Sequence, residues 1–437
     1  MSTKGSAGYI AVEVVEVRAW GRRVGAVALD PKLGAYSFEY DPKFAATGVE
    51  LAPLTMPLRD ADRPYVFPSL PEPTYQRLPA MLADALPDSF GNALIDAWMA
   101  NKGLKREMVT TLDRLAYMGK RSMGALEFRP SRGPNTSSST AIALGKLVNE
   151  ARSVLRGEID TDDHAQAALK QIIQVGTSAG GARAKATVAW NPDTNEVRAG
   201  QLTIPNGFAA WLLKFDGVGK DMGLGASRDY GRIEYAYSMM ATAAGITMAP
   251  CHLLQENGRA HFMTQRFDRD GNRRHHMQTL CAMRHLDYKQ RATHSYNQLF
   301  DTVQQLELGR GAMIEVLRRM VFNVVARNCD DHSKNHSFLL REGGQWELSP
   351  AYDITYAFDP ANEWVHQHLM SVNGKFANIT RDDLRAVADR YELLSEVNAA
   401  IERANEATSR WSEFAQAAGV APEEIERILQ ELSVQSI

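Results

Sequence analysis

Cysteine is scarce in this chain. Cys251, Cys281 and Cys329 are the only three in 437 residues, an odd number at wide spacing. They give no framework for a disulfide-stapled secreted protein, and a reducing cytoplasm is the expected compartment. Long apolar runs are also missing. The start, MSTKGSAGYIAVEVVEVRAWG, alternates apolar and polar residues where a signal peptide would have a solid apolar core, and no later run approaches membrane-spanning length. A membrane partner is therefore not expected. Nor is one sign of charge in excess: 49 Lys and Arg against 52 Asp and Glu leave −3, so no global field draws the chain onto nucleic acid. His275, His276, Cys281 and His294 match no usual zinc spacing, and no internal repeat of useful length is visible.

What remains is an ordinary globular composition, 44% hydrophobic and 23% charged, in a chain too long for a single core. The polar run SRGPNTSSST at 131–140 reads as a linker, which suggests segments of 1–132, 141–268 and 269–437. In the first, 9–19, 23–29 and 35–40 read as strands, with a turn at Trp20-Gly21-Arg22. Helices are expected from Ser89 to about Asn101 and up to Gly119, and a strand over 124–128. Nothing in this segment has nucleophile, metal or phosphate chemistry, and Asp88-Ser89 reads as a helix cap.

The most informative stretch is Asn328-Cys329-Asp330-Asp331-His332-Ser333-Lys334-Asn335, with Tyr352-Asp353 a hairpin later. Apolar residues at helical spacing over 312–325 lead into it, and strands are expected at 336–340 and 346–348 around a turn. Asp330 and Asn335 are five positions apart, the separation of Asp and Asn in the protein-kinase catalytic loop. Phosphoryl transfer needs one carboxylate for the acceptor hydroxyl, and an amide plus a second carboxylate for Mg²⁺. By itself the stretch would also serve as a polar helix-to-strand turn.

Upstream residues fall in kinase order. Val175-Gly176-Thr177-Ser178-Ala179-Gly180-Gly181-Ala182-Arg183-Ala184-Lys185 is glycine-rich enough to bring backbone N–H groups onto phosphate, although the Gly-Lys-Ser/Thr ending of a Walker loop is absent. A surface loop is the alternative. Lys214 ends a strand over 208–215, where a kinase has its phosphate-pairing lysine, or is a solvated strand end. Glu234 sits in the first turn of a helix over 233–244, where a kinase has that lysine's partner, or is a favourable charge at a helix N-terminus. Thr264, Gln265, Arg266 and Phe267 would form the adenine-facing hinge. Arg269, Arg273, Arg274, His275 and His276 surround an Asp270-Gly271-Asn272 turn and read as a solvated hairpin tip.

CDDHSKNHSFLL, LSPAYDITYAF and GTSAGGARAK together resemble the HipA-type toxin serine/threonine kinases, and the resemblance extends over nearly the whole chain, through LPDSFGNALID, RSMGALEFRP and RFDR. It implies an α+β, two-lobed protein-kinase-like fold with an N-terminal β-rich subdomain and a mostly helical C-terminal lobe. It implies ATP and Mg²⁺ as cofactors, with Asp330 catalytic and Asn335 and Asp353 as metal ligands. Gly180, Gly181, Ala182, Arg183, Ala184, Lys185, Lys214, Gln265, Arg266, Phe267, His332, Lys334, Asn335, Tyr352 and Asp353 would contact ATP, and Ser178 would be autophosphorylated. The implied partners are a helix-turn-helix antitoxin, operator DNA through it, and an aminoacyl-tRNA synthetase as substrate. The family more often has Gly after the catalytic Asp; Asp331 here is expected to add a negative charge beside the metal site. Two rival readings are a small-molecule phosphotransferase of the same fold and a catalytically silent corepressor.

Overall fold

The computed structural model of this chain describes residues 9–100, 102–134, 184–200, 203–216, 229–256, 258–434 and 437. Residues 143–156 and 162–173, whose apolar spacing in the sequence is helical, lie outside the described residues, as does the glycine-rich stretch through Arg183, including Ser178, Gly180, Gly181 and Ala182.

Four antiparallel strands open the chain: β1 (Val14–Ala19), β2 (Arg22–Asp30), β3 (Ala35–Tyr40) and β4 (Glu127–Arg129), in the order β3-β2-β1-β4. The β1–β2 hairpin closes through Trp20 and Gly21, both at positive φ (50° and 74°), a two-residue turn that suits the twist of paired strands. Alternation turns Val15, Val17 and Ala19 inward, against the helices Ser89–Ala100 and Thr111–Met118. The second helix starts on a Thr110–Asp113 capping box, and Asp113 also accepts from Val12 N at 2.9 Å and Tyr9 Oη at 2.8 Å. One carboxylate thus caps the helix and ties it to the sheet.

A second antiparallel sheet follows, made of β5 (Lys185–Trp190), β6 (Val197–Ala199), β7 (Ala209–Lys214), β8 (Cys251–Glu256) and β9 (Arg259–Gln265), ordered β6-β5-β7-β9-β8. The sequence suggests β7 and β9 directly. Lys185, expected as the end of a loop, is instead the first residue of β5. Every residue of β5 is buried, so its pattern carries no alternation from which a strand could be read.

The helix Tyr230–Ala243 joins sheet to helical lobe. Gly231 lets it press on β9: a Cβ there would lie 2.6 Å from Ala260 O. Its buried Ile233, Tyr237, Met240 and Ala241 enter the core formed by Gly309–Val325, Leu394–Ser409 and Trp411–Ala418, where the Tyr237 and Trp411 rings meet edge-on at 5.4 Å. The whole is the α+β, two-lobed, kinase-like arrangement expected, with its β-rich N-terminal part sharing a core with the second sheet. Among the described residues no helix is long and apolar enough to cross a membrane.

One expectation fails at 269–276. The hairpin Arg269–Asp270/Arg273–Arg274 forms around Gly271, but only its turn and Arg273 are exposed. Arg269 and Arg274 reach back to the carbonyls of Ser122 (3.1 and 3.3 Å) and Gly124 (3.1 and 2.9 Å), and Arg274 also to Leu126 O at 3.1 Å. Guanidinium groups offer several donors to backbone carbonyls, so this basic cluster clasps the N-terminal part.

Candidate active site

The helix Gly309–Val325 delivers the loop that carries Asp330 and Asn335. Past its end, Asn328 Nδ2 bonds Asn323 Oδ1 at 2.9 Å and Cys329 N bonds Ala357 O at 3.0 Å. A single 3₁₀ turn, Ser333–Asn335, then folds the chain back, and Asn335 Nδ2 donates to Asp330 O at 2.8 Å. The five-position spacing is therefore the length of chain that one tight turn closes. The Asp330 side chain is 31% exposed. Withdrawal from water raises its pKa above the ordinary carboxylate value, while His332, its Nε2 3.7 Å from Asp330 Oδ1, pulls the other way.

Two lysines form the opposite wall. Lys185 and Lys214 are direct partners across β5 and β7. Lys214 Nζ bridges the carboxylates of Glu234 and Asp353, so the strand lysine does meet the helix carboxylate; the helix begins at Tyr230, earlier than its apolar pattern suggests, and Glu234 lies past its first turn. Burial opposes the charge on Lys214, but Asp353 and Glu234 outweigh it and raise its pKa. Burial likewise opposes ionisation of Asp353, yet Lys214 and Lys185 hold its carboxyl well below the usual range. Lys185 shifts down, through burial and against the pull of Asp353. Asp353 itself has φ 56°, a left-handed conformation that Asp tolerates better than most residues.

Between these walls lies a cleft of about 740 Å³ including its mouth, lined by Lys185, Lys214, Arg266, Phe267, Lys334, Asn335, Tyr352 and Asp353 of the expected set. Asp330 and His332 stand beside it through Asn335. Ala184 and Gln265 are not among the lining residues: Ala184 is buried with its carbonyl taken by Phe215 N, and Gln265 N bonds Pro250 O. Arg266 lines the cleft, but its guanidinium is engaged by Asp268 at 2.9 and 2.7 Å, so it presents no free charge to a nucleotide. Tyr352 donates to Lys334 O at 2.6 Å and its ring lies 5.4 Å from that of Phe267. The Lys334 ammonium lies over the Tyr288 ring at 5.1 Å. Burial lowers its pKa, but the charge of Asp84 overrides this and leaves it raised.

The N-terminal part also contributes, against the sequence reading that found no chemistry there. Asp84 and Met123 line the cleft. Asp84 is fixed by Thr279, whose N and Oγ1 donate at 2.7 and 3.0 Å. Met123 sits in the turn clasped by Arg269 and Arg274. Asp88 does cap its helix, accepting from Gly91 N at 2.9 Å. Its other oxygen is buried without a partner among the described residues, and burial pushes its pKa up to about 6, with Lys185 and Lys334 opposing.

Comparison with known proteins settles the lineage. Residues 177–436 match the family model of the HipA-like C-terminal domain, and 15–129 that of the HipA N-terminal domain. The chain belongs to the HipA family. No curated protein sequence matches it. Among solved structures it is similar to the HipA, HipB and operator DNA complex of the toxin–antitoxin system of Shewanella oneidensis MR-1, at 16% identity and a TM-score of 0.63 over 96% of this chain and 95% of that one. A slighter likeness, 12% identity and a TM-score of 0.32, covers 53% of this chain and 94% of the proinflammatory kinase CtkA of Helicobacter pylori.

Within this chain of the HipA family, Asp331 does not behave as expected. It does not add loose negative charge beside Asn335 and Asp353, the expected metal ligands. It is buried, and accepts from Tyr296 Oη at 2.8 Å, His368 Nδ1 at 3.0 Å and Leu369 N at 2.8 Å. Its charge is spent on the base of the loop. Sequence reasoning also passed over Trp364, whose Nε1 donates to Asp330 Oδ1 at 3.0 Å. No local pattern signals a contact across 34 positions.

Proposed function

We propose that this HipA-family chain is an ATP- and Mg²⁺-dependent serine/threonine-protein kinase and the toxin of a toxin–antitoxin pair. The observation that carries this reading is Lys214, held between Glu234 and Asp353 on the wall of a cleft whose floor is the Asp330–Asn335 loop. Lys214 and Lys185 supply cations for phosphate oxygens, and Phe267 and Tyr352 give the cleft an aromatic wall at the hinge end. Asn335 and Asp353 are hard oxygen donors on one side of the cleft, and Asp353 stays ionised, so the pair fits Mg²⁺. When bound, the ion neutralises charge on the phosphates. Asp330 receives the hydrogen of the acceptor hydroxyl as its oxygen bonds the γ-phosphorus and the β–γ bridge breaks. Positioning and charge stabilisation supply most of such catalysis.

The Shewanella HipA is seen with HipB and operator DNA. For this chain we assign, by family analogy, a helix-turn-helix antitoxin that carries it to operator DNA, an aminoacyl-tRNA synthetase as the phosphorylated protein, and a cytoplasmic setting. Ser178 is proposed as an autophosphorylation site, to be checked by peptide mapping after incubation with Mg-ATP.

The test is γ-labelled ATP added with the protein to a cell lysate, followed by mass spectrometry of labelled species. Protein labelling by wild type, lost in Asp330→Ala and in Asp353→Asn, supports the kinase. Label on hydroxylated metabolites alone makes it a small-molecule phosphotransferase. Failure to bind Mg-ATP in calorimetry leaves a corepressor without chemistry.

A further inference from the structure

The segment 358–369, after the second catalytic Asp, carries no sequence signal of function, yet it is built around one contact with the catalytic carboxylate. Asn362 Oδ1 accepts from Trp364 N at 2.8 Å and Val365 N at 3.3 Å, while Asp359 N donates to Val365 O at 3.3 Å. Val365, Ala357 and Cys329 form a small buried cluster under Phe358 and Trp364. Cys329 precedes Asp330, so the cluster welds the segment to the catalytic loop. From outside, Arg291 donates to Glu363 O at 2.6 Å. The product of all this is the indole N–H of Trp364, 3.0 Å from Asp330 Oδ1.

An indole N–H donates and never accepts, so Trp364 cannot compete for the proton that Asp330 must receive. His332 Nε2, at 3.7 Å from the same oxygen, is too far for a hydrogen bond. Among the described residues Asp330 Oδ2 accepts none, and the side chain is partly open to solvent. One oxygen is tethered and the other is available. The terminal torsion of a carboxylate is broad and two-fold, so without a tether it samples many orientations.

We propose that Trp364 is a positioning residue for phosphoryl transfer: by holding Asp330 Oδ1 it aims Oδ2 at the hydroxyl of the acceptor. This rests on the kinase reading above. Trp364 is not among the residues lining the nucleotide cleft, so its effect falls on transfer and not on ATP binding.

The experiment follows the initial rate of transfer from γ-labelled ATP into lysate protein, with ATP varied, for the full-length chain. Trp364→Phe keeps a ring over the cluster and removes the N–H. A hydrogen bond to a charged group corresponds to a loss of roughly tenfold or more in the rate at saturating ATP. The KM for ATP should stay at its wild-type value. Val365→Ala loosens the same cluster and leaves the N–H in place, and should leave the rate near wild type. If Trp364→Phe melts well below wild type, benzothienylalanine at position 364 replaces N–H by sulfur in a ring of the same shape and should show the same loss. An unchanged rate, an increased rate, or an equal loss in Val365→Ala overturns the inference. An active wild type with an unaffected Trp364→Phe refutes only this step; a wild type that transfers no phosphate removes the kinase reading and the inference together.

Discussion

Lys185 stands directly opposite Lys214 on the neighbouring antiparallel strand, and both ammonium-bearing side chains line the cleft. Like charges so placed repel unless anions lie between, and here Asp353 and Glu234 do part of that work. ATP would supply the rest. Lys214→Met should lower phosphoryl transfer by roughly a hundredfold, because it removes a charged contact to the phosphates and the partner of Glu234. It should also cost about 3 kcal/mol of stability, since buried Glu234 loses its cation. Lys185→Met should mainly raise the KM for ATP, roughly tenfold, with little change in melting. Steady-state kinetics and urea denaturation of both variants decide it; equal effects from the two would show that the lysines are interchangeable.

Gly231 sets how closely the Glu234 helix approaches the sheet. A methyl at that position would meet Ala260 O at 2.6 Å and Phe262 N at 3.3 Å, backbone atoms that cannot rotate away. Gly231→Ala should therefore shift the helix, cost about 1–3 kcal/mol, and separate Glu234 from Lys214. The expected signature is a lowered melting temperature together with a fall in transfer rate like that of Glu234→Gln. A stable Gly231→Ala with full activity would mean that the helix is free to move without consequence for the lysine.

Asp331 and His368 form a buried ion pair at the base of the Asp330–Asn335 loop. Burial works against the charge on His368, but Cys329 and Asp331 override it and raise its pKa well above the ordinary value. A histidine whose folded pKa is raised contributes stability that is complete below its unfolded pKa of about 6.5 and is lost as pH rises through the folded value. Wild-type stability should thus decline on the alkaline side. Asp331→Asn should cost about 3 kcal/mol at pH 6 and flatten that decline. Urea titrations at several pH values test both parts. Parallel curves for the two proteins would exclude the pair as the source.

What could be read from the sequence follows how local each relationship is. The Asp330–Asn335 spacing was legible because one 3₁₀ turn closes it, and Lys214 because an apolar strand ends there. Lys185 was misplaced because β5 is buried on both faces and follows directly on a glycine-rich run. The fate of Asp331 depends on Tyr296, His368 and Leu369, none of them near in sequence. Asp84 and Met123 reach the cleft through contacts distant in sequence, with Thr279 and with Arg269 and Arg274. The basic cluster at 269–274 looked like a solvated tip because its acceptors are backbone carbonyls around residue 124, which leave no mark in a sequence.

That clasp gives the last prediction. Asp268 is fully buried, and accepts from Arg266 at 2.9 and 2.7 Å, from Arg269, and from Gly124 N at 2.8 Å. It neutralises Arg269, one of the two arginines that grip the 122–126 turn, and that turn carries Met123 into the cleft. Burial opposes its charge, but Arg266 and Arg269 win and hold its carboxyl far below the usual range. Asp268→Asn keeps the shape and removes the charge, stranding buried arginines, at a cost of about 3–5 kcal/mol. The turn should loosen, so limited proteolysis should cut near residues 122–134 and ATP affinity should fall even though Asp268 does not line the cleft. A carboxylate with a depressed folded pKa stabilises fully above its unfolded value of about 3.9 and loses that contribution as pH falls through the folded one. The stability gap between wild type and Asp268→Asn should accordingly be constant from neutral pH down to about 4 and shrink below it. A gap that persists unchanged in stronger acid, or a variant with wild-type melting and ATP affinity, would show that the arginines hold the turn without Asp268.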